Sequence, residues 1–200
     1  MKLTAKRVNN HHGDLRAGLV EATRQLVEEK GPDRFSVSDA CRAAGVSTAA
    51  PYRHFGDRDE MLLAVCSDGM ERFHALMTSA VAGKPPGTLE VIHDLGMAYI
   101  EFATSEPGVF RLSFGIAREH EKDAEIIERG KRNYAILLTQ IAAHYGKTAI
   151  DEQVLDRAFA LWTMVHGLSF LLIDEKITAM DLQIDIEAMI WDNTRRLLAE

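Results

Sequence analysis

With 200 residues and 46% hydrophobic side chains, the chain can fill one compact core or a small domain joined to a larger body, and disorder is not the default reading. Its net charge of −7 argues against nucleic acid only when taken whole: residues 1–60 hold ten Lys or Arg against nine Asp or Glu, and residues 61–200 thirteen against twenty-one. No apolar run nears the roughly 20 residues that span a bilayer, the opening residues are polar and basic, and Cys41 and Cys66 form no Cys-x-x-Cys pair, so a soluble, cytoplasmic protein with reduced thiols and no membrane partner is expected.

At the N-terminus Lys2, Lys6 and Arg7, followed by His11 and His12, form a short basic arm that either lies along phosphates or is simply solvated. Leu15, Leu19, Ala22 and Leu26 then share one helical face, with Asp14 as cap and Gly31-Pro32 as stop. Ser36 leads a run of about two turns through Val37, Ala40 and Ala44 that ends at Gly45, and a second short helix is expected from Ser47. Past Phe55-Gly56, Asp57 caps a longer helix in which Leu62, Val65, Gly69, Phe73 and Leu76 form a stripe, broken at Gly83-Lys84-Pro85-Pro86-Gly87.

Beyond this break every segment again has helical spacing: Leu89, Ile92, Gly96, Tyr99 and Ala103 before Pro107; a short piece over 110–114; Ile127, Tyr134, Leu137, Ile141 and Tyr145 before Gly146; then 151–173 and 181–198, separated by Asp174-Glu175-Lys176. No stretch alternates with period two and no repeat is present. The fold expected is all-α with about nine helices, an N-terminal three-helix domain over 1–58 and a helical bundle over 59–200. The segment 151–173 is apolar nearly all round, with Leu155, Phe159, Trp162, His166, Phe170 and Ile173 on one face and Ala158, Leu161, Val165, Leu168 and Leu172 on another. One face needs the body as cover; the other needs a further helix of the chain or a partner subunit. With Leu182, Ile186, Met189, Ile190 and Asn193 in register on the last helix, the pair is read as a homodimer interface through Trp162, His166, Phe170 and Ile173.

The segment 35–55, FSVSDACRAAGVSTAAPYRHF, has the layout of a helix-turn-helix: short helix, glycine-bearing turn, second helix. Gly45 suits the backbone that ends the first helix, Val46 can plug the two helices together, and Ala43, Ala44, Ala49 and Ala50 permit close approach. A generic helical hairpin shares these features. The continuation Tyr52-Arg53-His54-Phe55 and Asp57-Arg58-Asp59-Glu60-Met61-Leu62 narrows the choice.

Through Gly45-Val46-Ser47, Tyr52-Arg53-His54-Phe55 and the charged helix start at 57–62, the chain resembles the TetR family of bacterial transcriptional regulators over about residues 14–65. The remainder is similar in length and helical pattern, and Trp162 with His166-Gly167 resembles a segment of one branch of the C-terminal domains. The resemblance implies a repressor with double-stranded DNA as partner, a palindromic operator, a homodimer with reading heads about 34 to 36 Å apart, a small-molecule effector and no cofactor. Carried over residue by residue, Ser36 would cap the second helix and bind a phosphate. Thr48, Ala49 and Ala50 would face base edges, and Tyr52 and His54 would grip phosphates. Ser38 stands where some members place arginine, and Gly56 where lysine is frequent, so Arg58 is expected to supply that phosphate contact. Pro51 is tolerated in the recognition helix if Ser47 or Thr48 caps it; otherwise the helix bends and the base contacts change. The helix from Asp57 would join the two domains and transmit the effector's signal.

Plainer alternatives stand beside these. Tyr52 and His54 could pack between helices. Trp162 and His166 could be a structural pair or a polar corner of a pocket, and Tyr99, Phe102, Phe110, Phe114 and Tyr134 a core or an effector-binding wall. The charged stretch 118–131 reads as a solvated helix start. No enzyme is expected, because Gly-x-Ser-x-Gly, Walker and His-Glu-x-x-His patterns are all missing, and no metal, because His11-His12 and His120 between Glu119 and Glu121 lack a four-ligand spacing. A third class remains: the same fold acting by protein–protein contact alone, without specific DNA binding.

Overall fold

The computed structural model describes residues 12–114 and 123–199, with side chains from Leu15 onward. The arm residues Lys2, Lys6, Arg7 and His11, the side chains of His12 and Asp14, and Glu119, His120 and Glu121 lie outside the described residues. Among those described are nine α-helices, one short 3-10 helix and no strand. They gather into two compact units divided between Val65 and Cys66, inside one helix; the sequence suggests a boundary between 58 and 59, where that helix starts.

The first unit holds α1 (His12–Lys30), α2 (Val37–Ala43) and the opening turns of α3 (Arg58–Val81). Leu19, Val27, Phe35, Ala40, Phe55, Met61, Leu62 and Val65 are buried together, and the buried Thr23 hydroxyl donates back to the Leu19 carbonyl at 2.7 Å. Each helix end is made by a local device. Ser36 caps α2 by accepting from Asp39 N at 3.1 Å while the Asp39 carboxylate accepts from Ser36 N at 2.9 Å, a reciprocal capping box. Gly45, at φ +67°, ends α2 in the left-handed conformation that lets Val46 N–H reach the Cys41 carbonyl at 2.9 Å. The Asp57 carboxylate accepts from Glu60 N at 2.9 Å and starts α3.

The expected second helix of the helix-turn-helix takes another form. From Ser47 the chain makes a turn, with Ala50 N–H to Ser47 O at 3.0 Å, and then the 3-10 helix Pro51–Arg53. Pro51 has no N–H to return to the Ser47 carbonyl, so the i→i+4 ladder cannot begin before it. No side-chain hydrogen bond caps the segment, so the condition under which Pro51 would fit an α-helix is not met.

In the second unit α4 (Leu89–Ser105) is the axis, with nine buried residues, packed against α5 (Pro107–Phe114), α6 (Ala124–His144), α7 (Glu152–Ile173) and α9 (Ile186–Leu198). Thr88, Asp123, Asp151 and Asp185 cap α4, α6, α7 and α9 with their side chains. The α3–α4 connection is held against the end of α6. Gly87 donates its N–H to Gln140 Oε1 at 2.9 Å, accepts from His144 Nδ1 at 2.8 Å, and lies so close that a Cβ on it would sit 2.5 Å from the His144 backbone nitrogen.

The last helix begins later than its sequence pattern suggests, at Ile186 rather than 181, and the polar spacer before it contains the single turn α8 (Lys176–Ala179). Glu175 and Asp181 both sit at φ 54°, which breaks the helix on either side of α8, and Asp185 provides the next cap. Leu182 is therefore exposed in a connection rather than aligned on the helix.

Candidate functional site

On the first unit, Ser36, Ser38, Thr48, Ala49, Tyr52 and Arg53 are exposed and Ala50 is half-buried. Tyr52 is 64% exposed on the 3-10 turn, with Arg53 exposed beside it. Sequence reasoning does not single out Arg53, because nothing in the tetrapeptide says which of its side chains points outward. Three expected phosphate contacts are differently engaged. The Ser36 hydroxyl donates to Asp39 Oδ2 at 2.7 Å, so its proton serves the cap, and this bond with the backbone N–H of Ser36 holds the Asp39 carboxyl below its ordinary pKa. Arg58 turns inward: its Nε donates to the Phe35 carbonyl at 3.1 Å, a terminal nitrogen donates to the Pro32 carbonyl, and the guanidinium lies 4.7 Å over the Phe35 ring. It clamps the α1–α2 connection to α3 instead of facing solvent. His54 is half-buried against Phe55, with Nε2 turned away from solvent.

The second unit contains a cavity of about 490 Å³ among α3, α4, α5, α6, α7 and α9. Of the expected ligand residues, Tyr99, Phe114, Tyr134 and Trp162 line it. Phe102 and Phe110 do not: at 1% and 0% exposure they belong to the solid core, Phe102 stacked on Phe73 with centroids 5.0 Å apart. His166 stands behind the wall, hydrogen-bonded through Nδ1 to the Tyr99 hydroxyl at 2.8 Å, and the Trp162 indole N–H donates to the same hydroxyl at 3.3 Å. Burial lowers the His166 pKa and raises that of Tyr99, so the group is uncharged around neutral pH. Met70, Phe73, Asn133 and Thr194 also line the cavity. Phe73 has a visible place in the α3 stripe, but periodicity alone does not tell a cavity wall from a core.

Of the residues expected at a homodimer interface, Ile190 is buried within the single chain and the others are half-buried. Ile190 is 0% exposed, close to where a Cβ on Gly96 of α4 would stand, so it belongs to the chain's own core. Trp162 and His166 are bonded to Tyr99, and Phe170 packs on Phe110 at 5.3 Å. Ile173, Ile186, Met189 and Asn193 keep partial exposure. The open apolar face of α7 is instead Leu155, Phe159 (60% exposed) and Leu171, with exposed Thr163 and Gly167 between them.

Among the described residues no group of three His, Cys, Asp or Glu could hold a metal, and no helix is long and apolar enough to cross a membrane.

Comparison with known proteins agrees with this division. A family model described as bacterial regulatory proteins, tetR family, matches residues 19–65, and one described as Tetracyclin repressor-like, C-terminal domain, matches residues 92–193. The chain is similar to the nucleoid occlusion factor SlmA of Mannheimia succiniciproducens, 26% identical over 144 residues that make up 68% of this chain and 66% of that relative, just under two thirds of its length. Among solved structures, a protein with unknown function from Rhodococcus sp. RHA1 shares the fold at a TM-score of 0.79 and 23% identity, over 95% of this chain and 96% of that one. A tetR-family transcriptional regulator from Streptomyces coelicolor does so at 0.73 and 13% identity, over 92% and 79%.

Proposed function

Because the chain belongs to the TetR family of bacterial regulatory proteins, we propose that it is a DNA-binding transcriptional regulator that acts as a homodimeric repressor on a palindromic operator and answers to a small-molecule effector. The observation that carries the reading is the coincidence of the family match over 19–65 with a surface of small, hydroxyl and cationic side chains: Ser38, Thr48, Ala49, Tyr52 and Arg53. Hydroxyls and a guanidinium donate to phosphate, and alanine and the threonine methyl suit a thymine methyl. The exposed α7 face supports self-association, since Leu155, Phe159 and Leu171 gain from removal from water and a two-fold partner offers the same stripe in return. The cavity supports an effector, whose control of DNA binding requires that it bind the DNA-free conformation more tightly.

Selection of bound sequences from a random duplex pool at moderate salt tests the reading. A palindrome with half-sites about one helical turn apart, roughly 34 to 36 Å, is expected. A folded dimer that enriches no sequence, or whose weak binding ignores the two-fold pattern, rejects the operator-binding reading in favour of action by protein contact.

A further inference from the structure

The cavity has a chemical character that narrows what can fill it. Five aromatic rings face it, from Phe73, Tyr99, Phe114, Tyr134 and Trp162, and Met70, Met77 and Met164 supply flexible, polarizable side chains between them. Among the described lining residues the only charged side chain is Lys131, which is exposed at the rim and paired with Glu128 at 3.5 Å. Most of the polar atoms inside already have partners. The Tyr99 hydroxyl is held by Trp162 and His166, and Asn133 is bonded to His74 and to the Met70 carbonyl.

The exceptions are the buried Thr194 hydroxyl and, on the cavity wall, that of half-buried Tyr134. The Tyr134 ring packs on Trp162 with centroids 5.5 Å apart, yet among the described residues its oxygen has no hydrogen-bond partner. Burial holds its pKa above the ordinary phenol range, so it stays a neutral donor and acceptor. A hydroxyl on the cavity wall that no protein group answers favours a guest that brings a partner. An anion seated among the rings would lose its hydration with only the exposed Lys131 ammonium at the rim, already paired with Glu128, to answer it, and a cation would meet no opposite charge among the described lining residues, a cost of several kcal/mol.

We propose that this cavity takes a neutral aromatic molecule of about two or three rings, within the ordinary size of ligand pockets, whose single hydrogen-bonding group meets the Tyr134 hydroxyl, and that it turns anions away. The inference rests on the effector reading only in treating the cavity as the effector's seat.

A matched pair of fluorescent probes tests it: N-phenyl-1-naphthylamine, a neutral diarylamine with one N–H, and 8-anilino-1-naphthalenesulfonate, the same skeleton carrying a sulfonate. The neutral probe should bind saturably, one per chain, with the sulfonate at least about tenfold weaker. Tyr134→Phe, which keeps the ring and removes the hydroxyl, should weaken the neutral probe about three- to tenfold. Gly130→Phe should abolish most of the binding without harming the fold. Gly130 lines the cavity on α6 with no atom within 4 Å of where its Cβ would stand, and phenylalanine is a better helix former than glycine. Equal affinity for the sulfonate, no saturable binding of the neutral probe, or binding unaffected by Gly130→Phe or by Tyr134→Phe would each overturn the proposal. Probe binding that leaves the selected operator's affinity unchanged would reject the effector reading and leave the ligand class standing, whereas a DNA-binding protein that ignores the neutral probe does the reverse.

Discussion

His74 donates its Nδ1–H to the Asn133 carboxamide oxygen across 2.8 Å, and the Asn133 amide nitrogen donates in turn to the Met70 carbonyl at 3.3 Å, so one buried side chain ties α6 to α3 twice. Asn133→Leu keeps a similar volume but removes both bonds and leaves an imidazole N–H against an apolar group. Urea unfolding followed by circular dichroism should show a loss of about 1 to 3 kcal/mol. A midpoint equal to that of the wild type would mean that water replaces the bonds freely.

The Tyr99–His166 contact sets a pH window for stability. Burial keeps His166 below its ordinary value of 6.5, so the unfolded chain takes up that proton more readily and stability falls as pH drops through 6.5. Burial lifts Tyr99 above its ordinary 10.0, so the unfolded chain gives up the phenolic proton first and stability falls as pH rises through 10.0. Urea midpoints across pH should show a shallower acid limb in His166→Gln and a shallower alkaline limb in Tyr99→Phe. Limbs parallel to the wild type would contradict the assignment.

The two arginines that follow Tyr52, one in its turn and one at the start of α3, should separate cleanly. Arg58→Ala takes away the donors to Phe35 O and Pro32 O and should cost the first unit about 1 to 3 kcal/mol. Arg53→Ala should leave stability within about 0.5 kcal/mol, weaken DNA binding on every sequence alike, and reduce the slope of log affinity against log salt by about 0.9 for each phosphate the arginine neutralises. An unchanged slope would take Arg53 off the phosphate backbone.

Self-association offers a similar contrast on α7. Phe159→Glu places a charge in the exposed stripe and should convert a dimer to monomer in sedimentation at micromolar protein, while Trp162→Phe, which keeps an aromatic ring but loses the bond to Tyr99, should remain dimeric. A dimer that survives Phe159→Glu would place the interface elsewhere.

The parts of this molecule that are legible in its sequence are those made by near neighbours. The Ser36 cap, the Gly45 helix end and the Asp57 start each depend on groups within five residues, and all three stand where the sequence puts them. The Pro51 turn is equally local: the absent N–H that excludes a regular helix is visible in the sequence, and only the missing cap decides the outcome. What cannot be read depends on distant segments. Ile190 fits an amphipathic pattern equally well in a partner's face or in its own core, and its seat beside Gly96, ninety-four positions earlier, decides between them. Tyr99 and Phe102 lie one turn apart on α4, yet only the first reaches the cavity, because Phe73 covers the second. Arg58 carries no sign in the sequence that its guanidinium serves two carbonyls rather than a ligand.

The clasp at Gly87 has a mechanical corollary. α3 and α6 run in the same direction, Ser67 meeting Glu125, Glu71 meeting Arg132 and His74 meeting Asn133, and the corner fastened to Gln140 and His144 closes the far end of the pair. At the other end the pair is held by ionic contacts, Glu71 with Arg129 and Arg132, beside the 3.5 Å hydrogen bond of Ser67 to Glu125. The composition of 83–87 reads as a flexible joint, but its last residue is the rivet, and lengthening the chain just before it should be far better tolerated than adding a single methyl group to it.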